Sequence, residues 1–393
     1  MTTVSAAPTA AELMSAYLPG SSSLFASPSG TLLAEGTFFA VPPSGRQEGL
    51  ADLARRVDAV LRVAEAAGHE VRTVVGAVPF APDADARLVV PMRLRRGGPP
   101  VASPFRATPT ATGAGTVRVR PVPEPSRYQD AVARAVHRIR AGELTKVVLA
   151  RSLRVDAPHF DARPAVRALA AREPGGYTFG VDLGDGRTLL GASPELLVKR
   201  SGRRVVANPL AGSAPRSADP VEDARRASAL LASAKDRHEH IVVSAAVADG
   251  LRPFCRDLDL PAGPSLVRTA TMWHLSTLVT GELLDPAVSA LELATALHPT
   301  PAVGGTPTVA ARAAIAELEP FDRGFYTGMV GWGDAEGNGE WAVTIRCATA
   351  DADGLDLFAG AGIVGDSDPA AELTETTAKL GTMLAALGLS DVA

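Results

Sequence analysis

Two apolar runs near the C-terminus, Gly328–Trp332 and Glu340–Cys347, are separated by little more than the turn Asp334-Ala335-Glu336-Gly337-Asn338-Gly339. So short a connection joins antiparallel neighbours, because a parallel return needs a crossover of about a dozen residues or more. Short strand patterns recur upstream at Tyr177–Leu183, Thr188–Gly191, Leu196–Arg200, Arg204–Ala207 and Leu275–Glu282. Helical spacing stands between such runs at Leu50–Ala67, Ser126–Ile139, Ala165–Arg172, Asp219–Asp249 (broken near Asp236), Ala287–Leu297 and Ala310–Glu317. Strands joined by hairpins, with helices interspersed, predict an α+β fold rather than a parallel βαβ array.

Residues 1–25 are rich in Ala, Ser, Thr and Pro and are expected to be a partly disordered segment. Residues 26–125 read as the N-terminal part of the α/β domain. They offer a strand pair at Thr31–Ala34 and Gly36–Ala40, the Leu50–Ala67 helix, and a buried strand at Val71–Phe80. Arg95–Pro125 is dense in Gly, Pro, Thr and Ala and predicts a long irregular connection with one strand, Val117–Arg120. A firmer unit runs from residue 126 to 393. Ser126 precedes its first helix and Gly142 closes it, and the strand Lys146–Arg151 follows at once.

The net charge of −4 provides no basic footprint for nucleic acid. No stretch approaches a membrane span, and Met1–Gly20 lacks a basic region followed by an apolar run. Cys255 and Cys347 are isolated, which predicts free buried thiols in a reducing cytoplasm. No amphipathic stripe stands out as a spare interface, so a monomer is expected.

Several residues carry chemistry. Glu372 and Glu375 are three apart on a helical pattern and share a face. Adjacent carboxylates repel, and a divalent cation relieves the repulsion. Arg346 ends a strand nearby, and Phe358–Val364 is a small-residue strand that lets a ligand approach the backbone. An arginine beside a carboxylate-bound cation suits a small substrate that itself bears carboxylates. Lys146 opens an apolar strand and Glu195 follows Ser193-Pro194 at a strand junction. Alone, each reads as a solvated surface residue. Facing one cavity, they would supply a base and an acid. In Lys235-Asp236-Arg237-His238-Glu239-His240 the histidines point about 200° apart on a helix, so zinc ligation is disfavoured. Glu239 alone could turn inward, toward an all-oxygen site suited to Mg²⁺.

Taken in order, Leu144-Thr145-Lys146-Val147-Val148, Gly191-Ala192-Ser193-Pro194-Glu195, Pro209-Leu210-Ala211-Gly212-Ser213 and Ala359–Val364 followed by Glu372 and Glu375 resemble the chorismate-utilising enzymes. The resemblance covers roughly Ser126 to Leu389. Lys235–His240, Trp273-His274-Leu275, His298–Ala302 and Glu319–Arg323 are most similar to isochorismate synthases of catecholate-siderophore (2,3-dihydroxybenzoate) pathways. The resemblance implies one large chorismate-binding α+β domain, two packed antiparallel sheets with helices outside, and a Mg²⁺ site. Residues 126–393 would be its catalytic region.

Carried over, Lys146 resembles the general base for water and Glu195 the general acid. Glu239 and Glu375 resemble direct Mg²⁺ ligands, with Glu372 close by or acting through water. Arg346 and Lys379 resemble the residues that hold substrate carboxylate. Gly212, Ser213, Ala302 and Gly360 match pocket positions, as do His274 and Tyr326, whose roles the resemblance leaves open. Val303-Gly304-Gly305 departs from the Leu-Ser-Gly often found there. The implied activity is an isomerase that adds water at ring position two of chorismate and expels the position-four hydroxyl. A salicylate synthase, which goes on to eliminate pyruvate, shares these residues. A non-catalytic chorismate-binding protein would not need the acid and base.

Overall fold

The computed structural model describes residues 7–44, 49–102 and 117–389. Among these, all the strand pairings are antiparallel and build two large sheets and one small one. The first sheet runs in the order Gly305–Thr306, Lys146–Asp156, Gly354–Ile363, Cys347–Ala350, Arg187–Ser193, Tyr177–Gly184, Ser22–Ser27, Gly30–Glu35, Arg93–Gly97, and Arg118–Val122 also pairs with Lys146–Asp156. The second runs Cys255–Asp259, Val279–Leu283, Arg204–Asn208, Leu196–Ser201, Gly339–Val343, Met329–Asp334, Thr73–Val78, Arg87–Val90, Phe39–Ala40. Leu210–Pro215, Met272–Ser276 and Ser265–Arg268 form the third. The α+β class expected from the hairpins is the one observed.

The two large sheets face each other across a core that includes Phe25, Phe179 and Leu189 from one and Ala77, Val330 and Ala342 from the other. Helices cover the outer faces. Ala10–Ala16, Ala162–Arg172 and Pro369–Leu387 pack on the first sheet. Leu53–Ala66 and Ala290–Leu297 pack on the second. Alternation along a strand exposes one side to each layer, so both faces of these sheets are apolar.

Two chain segments pass from one sheet to the other, and both matter for the site. Arg187–Ser193 lies in the first sheet and Leu196–Ser201 in the second, so Pro194 and Glu195 span the seam. Gly339–Val343 lies in the second and Cys347–Ala350 in the first, which puts Thr344–Arg346 at the same kind of seam. Residues at such crossings point into the space between layers instead of onto a sheet face.

The structure revises several sequence expectations. Within residues 7–25, Thr9 caps a helix at Ala10–Ala16 in a reciprocal capping box with Glu12, and Leu13 is fully buried. This ordered helix and the strand Ser22–Ser27 stand where partial disorder was expected. Residues 1–6 lie outside the described residues. The expected pair Thr31–Ala34 and Gly36–Ala40 does not form. Gly30–Glu35 pairs instead with Ser22–Ser27, and Phe39–Ala40 crosses to the second sheet. Strands from residues 26–125 join strands from 126–393 in both sheets, so the two parts share one core. Most of the irregular connection, residues 103–116, lies outside the described residues.

The helix break falls at Ser233 rather than Asp236, because Ser233 ends Pro220–Ala232 and its hydroxyl accepts from the Asp236 amide to cap Ala234–Leu251. Leu275–Glu282 is two strands in different sheets, Met272–Ser276 and Val279–Leu283. Ser126, expected to precede the helix, lies in the first turn of Pro125–Arg140, which starts at Pro125 as suits proline there.

Candidate active site

Lys146 is the first residue of the strand Lys146–Asp156 and is 1% exposed. A lysine is buried only with compensation. Here the compensation is Glu239 of the Ala234–Leu251 helix, whose Oε1 lies 2.8 Å from Nζ as an ion pair. This contact supplies the charge balance that lets the ammonium stay buried. Gly362 on the neighbouring strand makes room for it. A Cβ there would sit 2.3 Å from Glu239 Oε1 and 2.8 Å from Lys146 Cε. The small-residue strand thus serves the approach of two side chains as well as a ligand.

Glu195, at the first seam, is 3% exposed, and Oε1 accepts a long contact of 3.4 Å from the Leu210 amide. Burial raises its pKa to about 7, against the pull of the Leu210 amide and of Lys146, Lys379 and Arg346. At neutral pH a substantial share of Glu195 therefore holds its proton.

Arg346 occupies the second seam. Its backbone sits at a φ of 50°, unusual for a residue with a side chain, and its carbonyl accepts from the Ala192 amide at 3.1 Å. Its guanidinium is buried, and no carboxylate among the described residues forms an ion pair with it. Burial lowers its pKa against the pull of Glu173 and more distant acids, and an incoming carboxylate would relieve the cost. Its Nη2 lies 3.4 Å from His274 Nε2, and Ser213 Oγ lies 2.8 Å from His274 Nδ1. Arginine can only donate, so Nε2 accepts and Nδ1 carries the proton toward Ser213. Burial, reinforced by Arg346 and Lys379, holds the His274 pKa well below its ordinary value, which keeps the ring neutral. Sequence reasoning left His274 without a role; its geometry makes it a prop for Arg346.

A single cavity at the seam is lined by ten of the expected residues: Glu195, Gly212, Ser213, Glu239, His274, Ala302, Tyr326, Arg346, Gly360 and Lys379. Tyr326 stacks on Phe358 at 5.1 Å, and a Cβ on Gly360 would lie 2.8 Å from its hydroxyl. Lys379 Nζ donates to the Gly360 carbonyl at 2.9 Å. Lys146 lies just behind this wall, beyond Glu239 and Gly362. Glu372 and Glu375 are not on the wall.

The three acids expected to bind metal do not gather into a ready cage; among the described residues no such cluster forms. Each pairs with a lysine: Glu239 with Lys146, Glu372 with Lys235 at 3.2 Å, Glu375 with Lys379 at 2.6 Å. The physical cause is charge balance in a poorly hydrated place. Burial, then repulsion from Glu375, raises the Glu372 pKa. For Glu239 burial acts in the same direction, but Lys146, Lys379 and Lys235 together outweigh it and hold the acid below its ordinary range.

A clamp with no role in the sequence reading supports this site. Arg323 and Glu319 form a buried ion pair, and Arg323 also donates to the Val148 carbonyl at 2.7 Å and the Val303 carbonyl at 2.8 Å. Glu319 Oε1 accepts from the Ala150 amide at 2.7 Å. The pair fastens the Lys146 strand to the Val303 side of the cavity. Two acid and base residues four apart, in a run already singled out, were the available signal.

A model of the family described as chorismate binding enzyme matches residues 103–388. The chain belongs to this family. It is 52% identical over 391 residues to the isochorismate synthase DhbC of Bacillus subtilis, covering 98% of this chain and 97% of that one. It is 44% identical over 340 residues to the vibriobactin-specific isochorismate synthase of Vibrio cholerae, covering 86% and 85%. The crystal structure of DhbC from Bacillus anthracis superposes with a TM-score of 0.90 at 48% identity, covering 96% of this chain and 99% of that one.

Proposed function

We propose that the chain is an isochorismate synthase of the siderophore type, in which Lys146 and Glu195 move the protons. The observation that carries this reading is a buried acid poised near neutrality on the wall of one cavity, with a buried lysine directly behind the same wall. Lys146 takes a proton from water as oxygen bonds to ring position two. Both ring double bonds shift one place, and Glu195 gives its proton to the hydroxyl leaving position four. One water enters and one leaves, so nothing is oxidised. Arg346, propped by His274, holds a substrate carboxylate in a fork, with Lys379 beside it.

Glu239, Glu372 and Glu375 present carboxylate oxygens without sulfur, a donor set that fits Mg²⁺. Each already pairs with a lysine, which supports a place that attracts positive charge. Mg²⁺ held there would neutralise a carboxylate of the substrate. The two free buried cysteines suit a reducing cytoplasm. No helix among the described residues is long and apolar enough to cross a membrane.

Incubation of the purified protein with chorismate and Mg²⁺ should yield isochorismate without pyruvate, followed by chromatography and a coupled pyruvate assay. Stoichiometric pyruvate would make it a salicylate synthase. EDTA should stop turnover and back-titration with Mg²⁺ should restore it. Full activity in thoroughly metal-free enzyme would remove the three glutamates from the metal role.

Arg346→Lys should lower kcat/KM by about ten- to a hundredfold, because a point charge cannot replace a planar fork; a hydrogen bond to a charged group is worth roughly 1.5–3 kcal/mol. Wild-type efficiency in this variant would show that Arg346 does not hold the carboxylate.

A further inference from the structure

A second and larger cavity, of about 520 Å³, adjoins the reaction cavity at Arg346. The two share Arg346 and Pro194, so the proposed carboxylate anchor lines both. Its walls come from the turn Glu173–Gly176 after the Ala162–Arg172 helix and from Val267–Ala270 at the hairpin of the small sheet. Four arginines reach it, Arg172, Arg216, Arg268 and Arg346, against a single acid, Glu173.

These charges are not equivalent. Arg216 is spent on Asp223, at 2.8 Å, and its guanidinium lies 5.3 Å from the Trp273 ring. Glu173 is tied by the Ala270 amide at 2.7 Å. Arg172 and Arg268 are exposed and form no ion pair among the described residues. Two unspent cations therefore stand at the outer part of a cavity whose inner end is the substrate's anchor. The chain as a whole carries a net charge of −4, which repels a dianion. A local positive mouth would reverse that field where it counts.

We infer that this cavity is the access vestibule for the dicarboxylate substrate, in which Arg172 and Arg268 capture a carboxylate and pass it inward to Arg346. The inference rests on the proposed role of Arg346 and adds to it a path and two steering residues. It requires association to depend on ionic strength, since the steering charges are exposed and screened by salt.

Stopped-flow tryptophan fluorescence, with chorismate mixed into a Lys146→Ala background, reads the association rate directly. Isochorismate formed in that background would count against Lys146 as base and leave the vestibule untouched. The Arg172→Ala/Arg268→Ala pair should slow association at low salt by about tenfold and flatten its salt dependence. Gly175→Phe is a separate plug. Gly175 lines the vestibule, and a Cβ there meets nothing within 4 Å, so the ring has room to project into it. This variant should slow association and dissociation together. Both arginines are exposed, so the double variant folds even if the plug does not. Unchanged association and an unchanged salt slope in the double variant would overturn the inference, whatever the plug does.

Discussion

Lys146→Ala lowers isochorismate formation by about 10²–10⁴-fold, the usual contribution of a positioned proton-transfer group, while chorismate binding measured by calorimetry persists. The expectation follows from position. Lys146 lies behind the cavity wall at Glu239 and Gly362 and does not line the surface that holds the substrate. The same variant strips Glu239 of its buried partner. Breaking a buried pair typically costs about 3–5 kcal/mol, so the melting temperature should fall. If Glu239 also holds Mg²⁺, added Mg²⁺ should recover more of that melting temperature in the variant than in the wild type. Near wild-type turnover would take Lys146 out of the mechanism. Lost chorismate binding in a folded variant would make it a substrate anchor instead.

The parts of this site that were legible in the sequence are those written in local pattern. Hairpin spacing around Asp334–Gly339 implied antiparallel sheets, and the strand expected over Lys146–Arg151 starts at Lys146 but runs on to Asp156. What local pattern could not carry was burial of that lysine. Its ion-pair partner comes from a distant helix, and the room for both comes from Gly362 on a third element. The seams at Pro194–Glu195 and Thr344–Arg346 were equally hidden, because a strand that changes sheets looks in sequence like two strands with a short join. Glu195 therefore read as a surface residue although the crossing aims it into the cavity. The proposed metal ligands are a different case. Carboxylate spacing on the Pro369–Leu387 helix correctly put Glu372 and Glu375 together, but it was silent on Lys235 and Lys379, which balance them here. At the N-terminus the failure was one of weighting. Thr9-Ala10-Ala11-Glu12 is a capping-box signal, and the Ala/Ser/Pro composition around it obscured a helix that packs Leu13 into the core.

Glu195→Gln should be as damaging as loss of the base, with turnover down by about 10²–10⁴-fold, since glutamine keeps the shape and cannot deliver the proton. Its pH behaviour makes the assignment specific. Burial raises the carboxyl to about 7, so the protonated form needed by an acid dominates below that value and is lost above it. The wild-type rate should therefore descend as pH rises through about 7, and the residual rate of Glu195→Gln should lack that limb. Wild-type stability should fall over the same rise in pH. Because the folded-state pKa lies above that of an unfolded glutamate, the wild type loses stability as pH climbs from the ordinary carboxylate range through about 7, where the buried group must ionise. Glutamine carries no such penalty, so the variant should melt higher than the wild type above pH 7 and nearly alike at pH 4. A catalytic acid held protonated by burial predicts this exchange of activity for alkaline stability. A variant that is inactive but gains no stability at high pH would mean that Glu195 is ionised in the resting enzyme, and that the proton for the leaving hydroxyl comes from another group.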